Sequence, residues 1–132
     1  GKEKTVVGAE LRGTTTKRWR GMATGSRKDL GCFYIKRSHT NKMVLCESAI
    51  DALSCFVLNR DFITLSTSGA NPNPGWLTTF INKGFEIYCG FDADEIGDSF
   101  AEKMIRHYPS IKRLRPIKHD WNEILQSKYH TC

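Results

Sequence analysis

The chain has 132 residues, 39% of them hydrophobic, and its twenty Lys and Arg against fourteen Asp and Glu leave a net charge of +6. That composition supplies one compact core and too little for two ordinary domains. No run approaches the roughly 20 apolar residues of a membrane span, and Gly1-Lys2-Glu3-Lys4 lacks the apolar centre of a signal peptide, so a cytoplasmic protein without a membrane partner is expected.

In chain order, residues 1–40 read as a basic N-terminal β extension, with β-formers clustered at 5–11 and 31–36 and Gly13, Gly21, Gly25 and Gly31 between them. Residues 1–30 carry eight Lys or Arg and only three acids. Lys17, Arg18, Trp19, Arg20, Arg27 and Lys28 are candidate nucleic-acid contacts, because an aromatic among cations can stack on a base while its neighbours touch phosphates. A solvated basic tail and a core tryptophan are the plain alternatives. Opening on Gly1 rather than Met, the chain is expected to be one domain of a longer protein, whose other domains are then partners.

From residue 41 onward the pattern alternates: strand 43–46, helix 48–59, strand 62–66, loop 67–75, helix 76–82, strand 86–91, helix 97–107, strand 111–115, helix 120–127. Alternation of this kind implies an α/β domain over residues 41–132, with about four parallel strands, right-handed crossovers and flanking helices. Ile50, Leu53 and Val57 recur at helical spacing and are expected to face the sheet. In the third helix that role falls to Phe100, Met104 and Tyr108, or to Ala101 and Ile105.

Five cysteines form no C-x-x-C pair, and three lie in apolar runs where Cys behaves as a small hydrophobe. His39, His107, His119 and His130 show no metal-ligand spacing and are expected on the surface or in loops.

The carboxylates are more informative. Residues 86–102 hold six of them with no Lys or Arg. Glu47 ends the first apolar strand, and Asp92 and Asp94 follow the strand at 86–91, so a parallel sheet aims all three into one crevice. Separated by one residue, Asp92 and Asp94 point to the same side of an extended segment, and converging acids repel unless a cation compensates. A hard divalent cation is the expected occupant, with Asp92, Asp94 and Glu47 as the converging acids. Asp51, one helical turn beyond Glu47, is a candidate support for those ligands or a helix-terminal acid favoured by the macrodipole. The plain alternative for Asp92-Ala93-Asp94-Glu95 is a polar loop capping the next helix. Ser66-Thr67-Ser68-Gly69, beginning the loop at 67–75, either flanks the crevice, offering the Gly69 amide to a phosphate, or is an ordinary connector.

Cys46-Glu47-Ser48-Ala49-Ile50-Asp51-Ala52-Leu53-Ser54 and Phe91-Asp92-Ala93-Asp94-Glu95-Ile96-Gly97 together resemble the two signature motifs of the TOPRIM domain. Bacterial primases, type IA and II topoisomerases, OLD-family nucleases and recombination-mediator proteins share that domain. The resemblance covers about residues 40–127 and implies a Rossmann-like TOPRIM fold, with Glu47 as the catalytic acid/base and Asp92 and Asp94 binding Mg²⁺. His119-Asp120-Trp121-Asn122-Glu123 is similar to the K-D-x-N-E segment of primase-like members; Asp120 is either a further support for the metal ligands or, with Glu123, a helix capping box. The first motif looks most like TOPRIM-like domains of plasmid and mobile-element proteins, often beside relaxase, helicase or primase modules. Ser48 departs from the Gly that primases and type IA topoisomerases commonly place after the Glu, and helix N-cap chemistry accounts for it.

What the resemblance implies is metal-dependent phosphoryl or nucleotidyl transfer on single- or double-stranded DNA. The chain is then the catalytic domain of a larger primase-like nucleotidyltransferase in replication or mobile-element transfer, with nucleotides as further ligands. Topoisomerase- or nuclease-type strand cleavage and a non-catalytic nucleic-acid-binding module stay open. None of Tyr34, Tyr88, Tyr108 or Tyr129 sits in a recognisable nucleophile motif. A receiver domain fits poorly, because Glu comes first and the paired Asp second.

Overall fold

Residues 43–46 are buried on both sides of their strand, as a continuous apolar run demands of a central parallel strand covered by helices. The computed structural model describes residues 10–12, 20–22, 32–37 and 39–129. Strands β1 (Glu10–Arg12) and β2 (Arg20–Met22) pair antiparallel, with Leu11 opposite Gly21. Strands β3 (Phe33–Ile35), β4 (Lys42–Cys46), β5 (Ile63–Ser66), β6 (Glu86–Cys89) and β7 (Lys112–Arg113) form a five-stranded sheet in the order β3-β5-β4-β6-β7. The four parallel strands are as expected. β3 adds itself to their edge, antiparallel to β5.

Helices α1 (Ala49–Leu58), α2 (Leu77–Asn82), α3 (Glu95–His107) and α4 (Trp121–Tyr129) cover the sheet. Side-chain alternation along the strands divides the core into two layers. Met43, Leu45, Ile87, Cys89 and Phe91 pack with Leu77, Ala101 and Met104 of α2 and α3. Val44 and Cys46 pack with Ala52, Cys55 and Trp121 of α1 and α4. In α3 both expected rows contribute, since Phe100, Ile105 and Tyr108 lie partly buried against the core beside Ala101 and Met104.

In α1 the expected face is not the buried one. Leu53 and Val57 are 47% and 37% exposed, whereas Asp51, Ala52, Ser54 and Cys55 are turned inward. Small residues let α1 lie close to the sheet, where the Thr64 hydroxyl donates to the Ala52 carbonyl (2.8 Å) and Ser54 Oγ donates to Asn122 Oδ1 of α4 (3.2 Å). Leu53 and Val57 are left on the outer side of the helix.

Cys46, Cys55 and Cys89 are buried, and burial pushes the Cys89 thiol up to about 11, so it stays protonated as a small core residue. His39, His107 and His119 are exposed; His130 and Cys132 lie outside the described residues. Among the described residues, no helix is long and apolar enough to cross a membrane.

Candidate metal centre

From β4 the chain crosses to β5 on one side, and from β6 it crosses to β7 on the other, so the strand order reverses between the adjacent strands β4 and β6. In an open parallel sheet the crevice at such a reversal, beyond the carboxyl ends of the strands, is where ligands bind. Glu47 directly follows β4, and Asp92 lies three residues beyond the end of β6. Both are buried, at 6% and 3% exposure.

Local hydrogen bonding fixes each segment. Ser48 caps α1 by accepting from the Asp51 N–H (3.1 Å), while its own hydroxyl donates to Asp51 Oδ2 (2.8 Å). Past the ends of β4 and β5, the Thr67 N–H donates to Cys46 O (2.8 Å) and the Gly69 N–H donates to Glu47 O (2.6 Å). Ser68 takes a left-handed φ of 55° to make that turn, a conformation non-glycine residues seldom adopt. The Gly69 amide therefore holds the Glu47 backbone, so the expectation that it serves a phosphate is not met.

Asp94 caps α3, its Oδ1 accepting from the Gly97 N–H (2.7 Å). Gly97 is required there, because a Cβ would overlap the Asp92 carbonyl. The third wall comes from the segment before α4. His119 O accepts from the Ala93 N–H (2.7 Å), which seats residue 119 against the Asp92–Asp94 turn, and His119 Nε2 lies 2.9 Å from Asp94 Oδ2. Asp120 caps α4 by accepting from the Glu123 N–H (2.8 Å), as the capping-box alternative anticipates, and Asp51 Oδ1 accepts from the Asn122 N–H (3.2 Å).

Potential ligand atoms of Asp92, Asp94 and His119 all lie within 4.8 Å of one another, as do those of Asp51, Asp92 and Asp120. Among the described residues, a third such group joins His119, Asp120 and Glu123; Glu47 is in none of the three, and Asp92 is common to the first two. Burial first, then the charges of Asp120 and Asp92, push the Asp51 carboxyl above its ordinary value. The Asp94 hydrogen bond raises His119. Crowded carboxylate oxygens with one imidazole nitrogen are a donor set that suits a divalent cation, which relieves their mutual repulsion.

Arg113 holds this arrangement from behind. Its guanidinium donates to the carbonyls of Cys89 (3.1 Å), Phe91 (2.7 Å) and Asp92 (3.0 Å), and to Asp98 Oδ1 (2.7 Å). Asp98 also receives Arg115 Nε (2.9 Å), and the hydrogen bonds from Arg115 and Arg113 hold its carboxyl down at about 2. Of the six acids at 86–102, Asp98 is thus neutralised locally, and Glu102 pairs with Arg106 (2.7 Å). An Asp with a depressed folded value stabilises the fold above its unfolded pKa of about 3.9 and loses that stabilisation as pH falls toward the folded value. Urea midpoints are accordingly expected to fall between pH 5 and pH 2.5, and an Asp98→Asn variant to show a shallower fall over that window.

Sequence reasoning named Glu47, Asp51, Asp92, Asp94 and Asp120; the structure groups the four aspartates and sets Glu47 after β4, outside those groups. Sequence reasoning missed His119, whose only signal was its position opening the His119–Glu123 segment, and Arg113, which nothing local distinguishes from other basic residues. Lys17, Arg18, Trp19, Arg27 and Lys28 lie outside the described residues, and Arg20 enters only through its backbone in β2.

The sequence matches the Toprim-like family over residues 44–125. The chain belongs to that family. No curated protein matches this Toprim-like domain. Among solved structures, it is similar to the primase fragment of the bacteriophage T7 primase-helicase protein, at 22% identity and a TM-score of 0.53 over 67% of this chain and 40% of that one. A second similarity, at 17% identity and a TM-score of 0.54, covers 89% of this chain and 64% of the other. That structure is of the T7 lagging-strand DNA polymerase interacting with primase domains bound to an RNA/DNA hybrid and dTTP. At these identities the likeness is one of fold. This Toprim-like domain spans less than two thirds of either chain.

Proposed function

We propose that this Toprim-like domain is the metal-dependent catalytic part of a primase-like nucleotidyltransferase acting on DNA in replication or mobile-element transfer. The observation that carries the reading is the placement of Asp92 and Asp94 after β6 beside Glu47 after β4, at the strand-order reversal. Asp92 and Asp94, with Glu47 at hand, would hold Mg²⁺ or Mn²⁺, which would supply charge neutralisation at the reacting phosphate. Glu47 takes the proton of the attacking hydroxyl, and its burial suits a proton-transfer group. Asp51 and Asp120 fix the N-termini of α1 and α4 around the acids. Arg113 keeps the Asp92 backbone in register. Lys17, Arg18, Trp19, Arg20, Arg27 and Lys28 are assigned to the DNA backbone and bases. Nucleotides and the other domains of a longer cytoplasmic protein complete the set of partners.

The test is primer synthesis on a single-stranded template with labelled nucleotides, with and without chelator, by the wild type and Glu47→Gln. Metal-dependent extension that Glu47→Gln lacks is the expected result. Salt-dependent DNA affinity untouched by chelator, with neither synthesis nor cleavage, would replace this reading with that of a binding module.

A further inference from the structure

We infer that His119 is a nitrogen ligand of the metal centre, so that this domain binds first-row transition cations such as Mn²⁺ in preference to Mg²⁺. The inference rests on the reading of Asp92 and Asp94 as the carboxylate ligands. Three features place the imidazole in that role. Its Nε2 stands 2.9 Å from Asp94 Oδ2, and its ligand atom lies within 4.8 Å of those of both Asp92 and Asp94. The backbone hydrogen bond from Ala93 N to His119 O holds the residue against the turn independently of its side chain. The other ring nitrogen, Nδ1, lies 3.3 Å from Asp120 Oδ2.

Proteins orient a metal-bound imidazole by a carboxylate beside its second ring nitrogen, and Asp120 stands close to Nδ1 in that position. Asp120 is itself immobilised, because its Oδ1 accepts the Glu123 N–H at the start of α4. A neutral imidazole offers a lone pair to a cation. Carboxylate oxygens alone suit Mg²⁺, and an added imidazole favours transition metals, since Mg²⁺ parts reluctantly with its water for nitrogen.

The experiment is pulsed electron paramagnetic resonance of Mn²⁺ bound to the 132-residue chain, beside calorimetric titrations with Mn²⁺ and Mg²⁺ of the wild type and His119→Asn. Nitrogen modulation of the Mn²⁺ echo is expected in the wild type and absent from the variant. Mn²⁺ affinity should fall on the order of 10–100-fold in the variant, the scale at which disturbing such a site acts, while Mg²⁺ affinity changes less. Mn²⁺ binding without nitrogen modulation overturns the assignment of His119 and leaves the carboxylate site standing; His119 is then only a hydrogen-bond partner of Asp94. Absence of Mn²⁺ binding to the folded wild type overturns both. The wild-type spectrum decides even if the variant folds poorly.

Discussion

Under the proposed function, Asp92→Asn is expected to lower metal-dependent nucleotidyl transfer by on the order of 10²–10³-fold, the scale of deleting one charge-stabilising group from an active site, while leaving the domain folded. Asp92 belongs to two of the three groups of candidate ligands, and it is 3% exposed. Its backbone carbonyl is held by Arg113 and does not depend on the side chain. Asn keeps the volume and removes the charge, so packing survives. The electrostatic consequence runs in an unusual direction. Without a cation, Asp92 raises the Asp51 carboxyl through like-charge repulsion, and removing that charge relieves a cost of folding. In chelator, Asp92→Asn should therefore melt at or above the wild-type temperature. With Mn²⁺ or Mg²⁺ added, the wild type should gain stability in proportion to its binding and the variant should not. Melts with and without metal, beside a calorimetric titration, check both parts. Full activity or undiminished cation binding in the variant would remove Asp92 from the site.

Trp121→Ala is expected to cost about 3–5 kcal/mol, the range for truncating a buried large aromatic, and to lower the melting temperature by about 10–20 °C. Trp121 is 7% exposed in the layer formed by Val44, Cys46, Ala52 and Cys55. Its indole Nε1 donates to the Gly90 carbonyl (2.8 Å). The absence of a Cβ at Gly90 permits that approach, because one there would lie 3.0 Å from the indole nitrogen and 2.7 Å from Val44 Cγ1. Trp121 thus seats α4 on the sheet, and the two residues before it are Asp120 and His119. The variant should lose cation affinity together with stability. Trp121→Phe, which keeps most of the volume and strands the Gly90 carbonyl, should lose roughly 1–3 kcal/mol. Chemical denaturation monitored by circular dichroism measures both variants; a loss below about 1 kcal/mol for Trp121→Ala would mean that α4 is held by other contacts.

The parallel sheet, the positions of Glu47, Asp92 and Asp94, and the caps at Ser48 and Asp120 were legible in the sequence. Each is a local matter. A strand buried on both faces must be apolar throughout, a helix start needs an oxygen for its free N–H groups, and a carboxylate just past a strand end has one edge of the sheet to occupy. The inward face of α1 was not legible. Ile50, Leu53 and Val57 give the stronger apolar periodicity, but the distance of the helix from the sheet is set by Ala52, Cys55 and the polar ties to Thr64 and Asn122. The antiparallel addition of β3 to β5 was hidden for a similar reason, since pairing partners are chosen across the fold and leave no mark in a three-residue strand.

The sequence alone determined that this chain resembles a Toprim-like α/β domain with acids at the carboxyl ends of two strands, because strand burial and chain order already fix which side chains reach that edge; that β4 and β6 lie side by side is decided by the sheet order. Only the tertiary structure decided what else meets those acids. His119 stands 25 residues beyond Asp94, and Arg113 is 21 beyond Asp92. Their placement follows from the docking of α4 through Trp121 and of β7 beside β6, contacts that exist once the whole sheet has assembled and that no local propensity encodes.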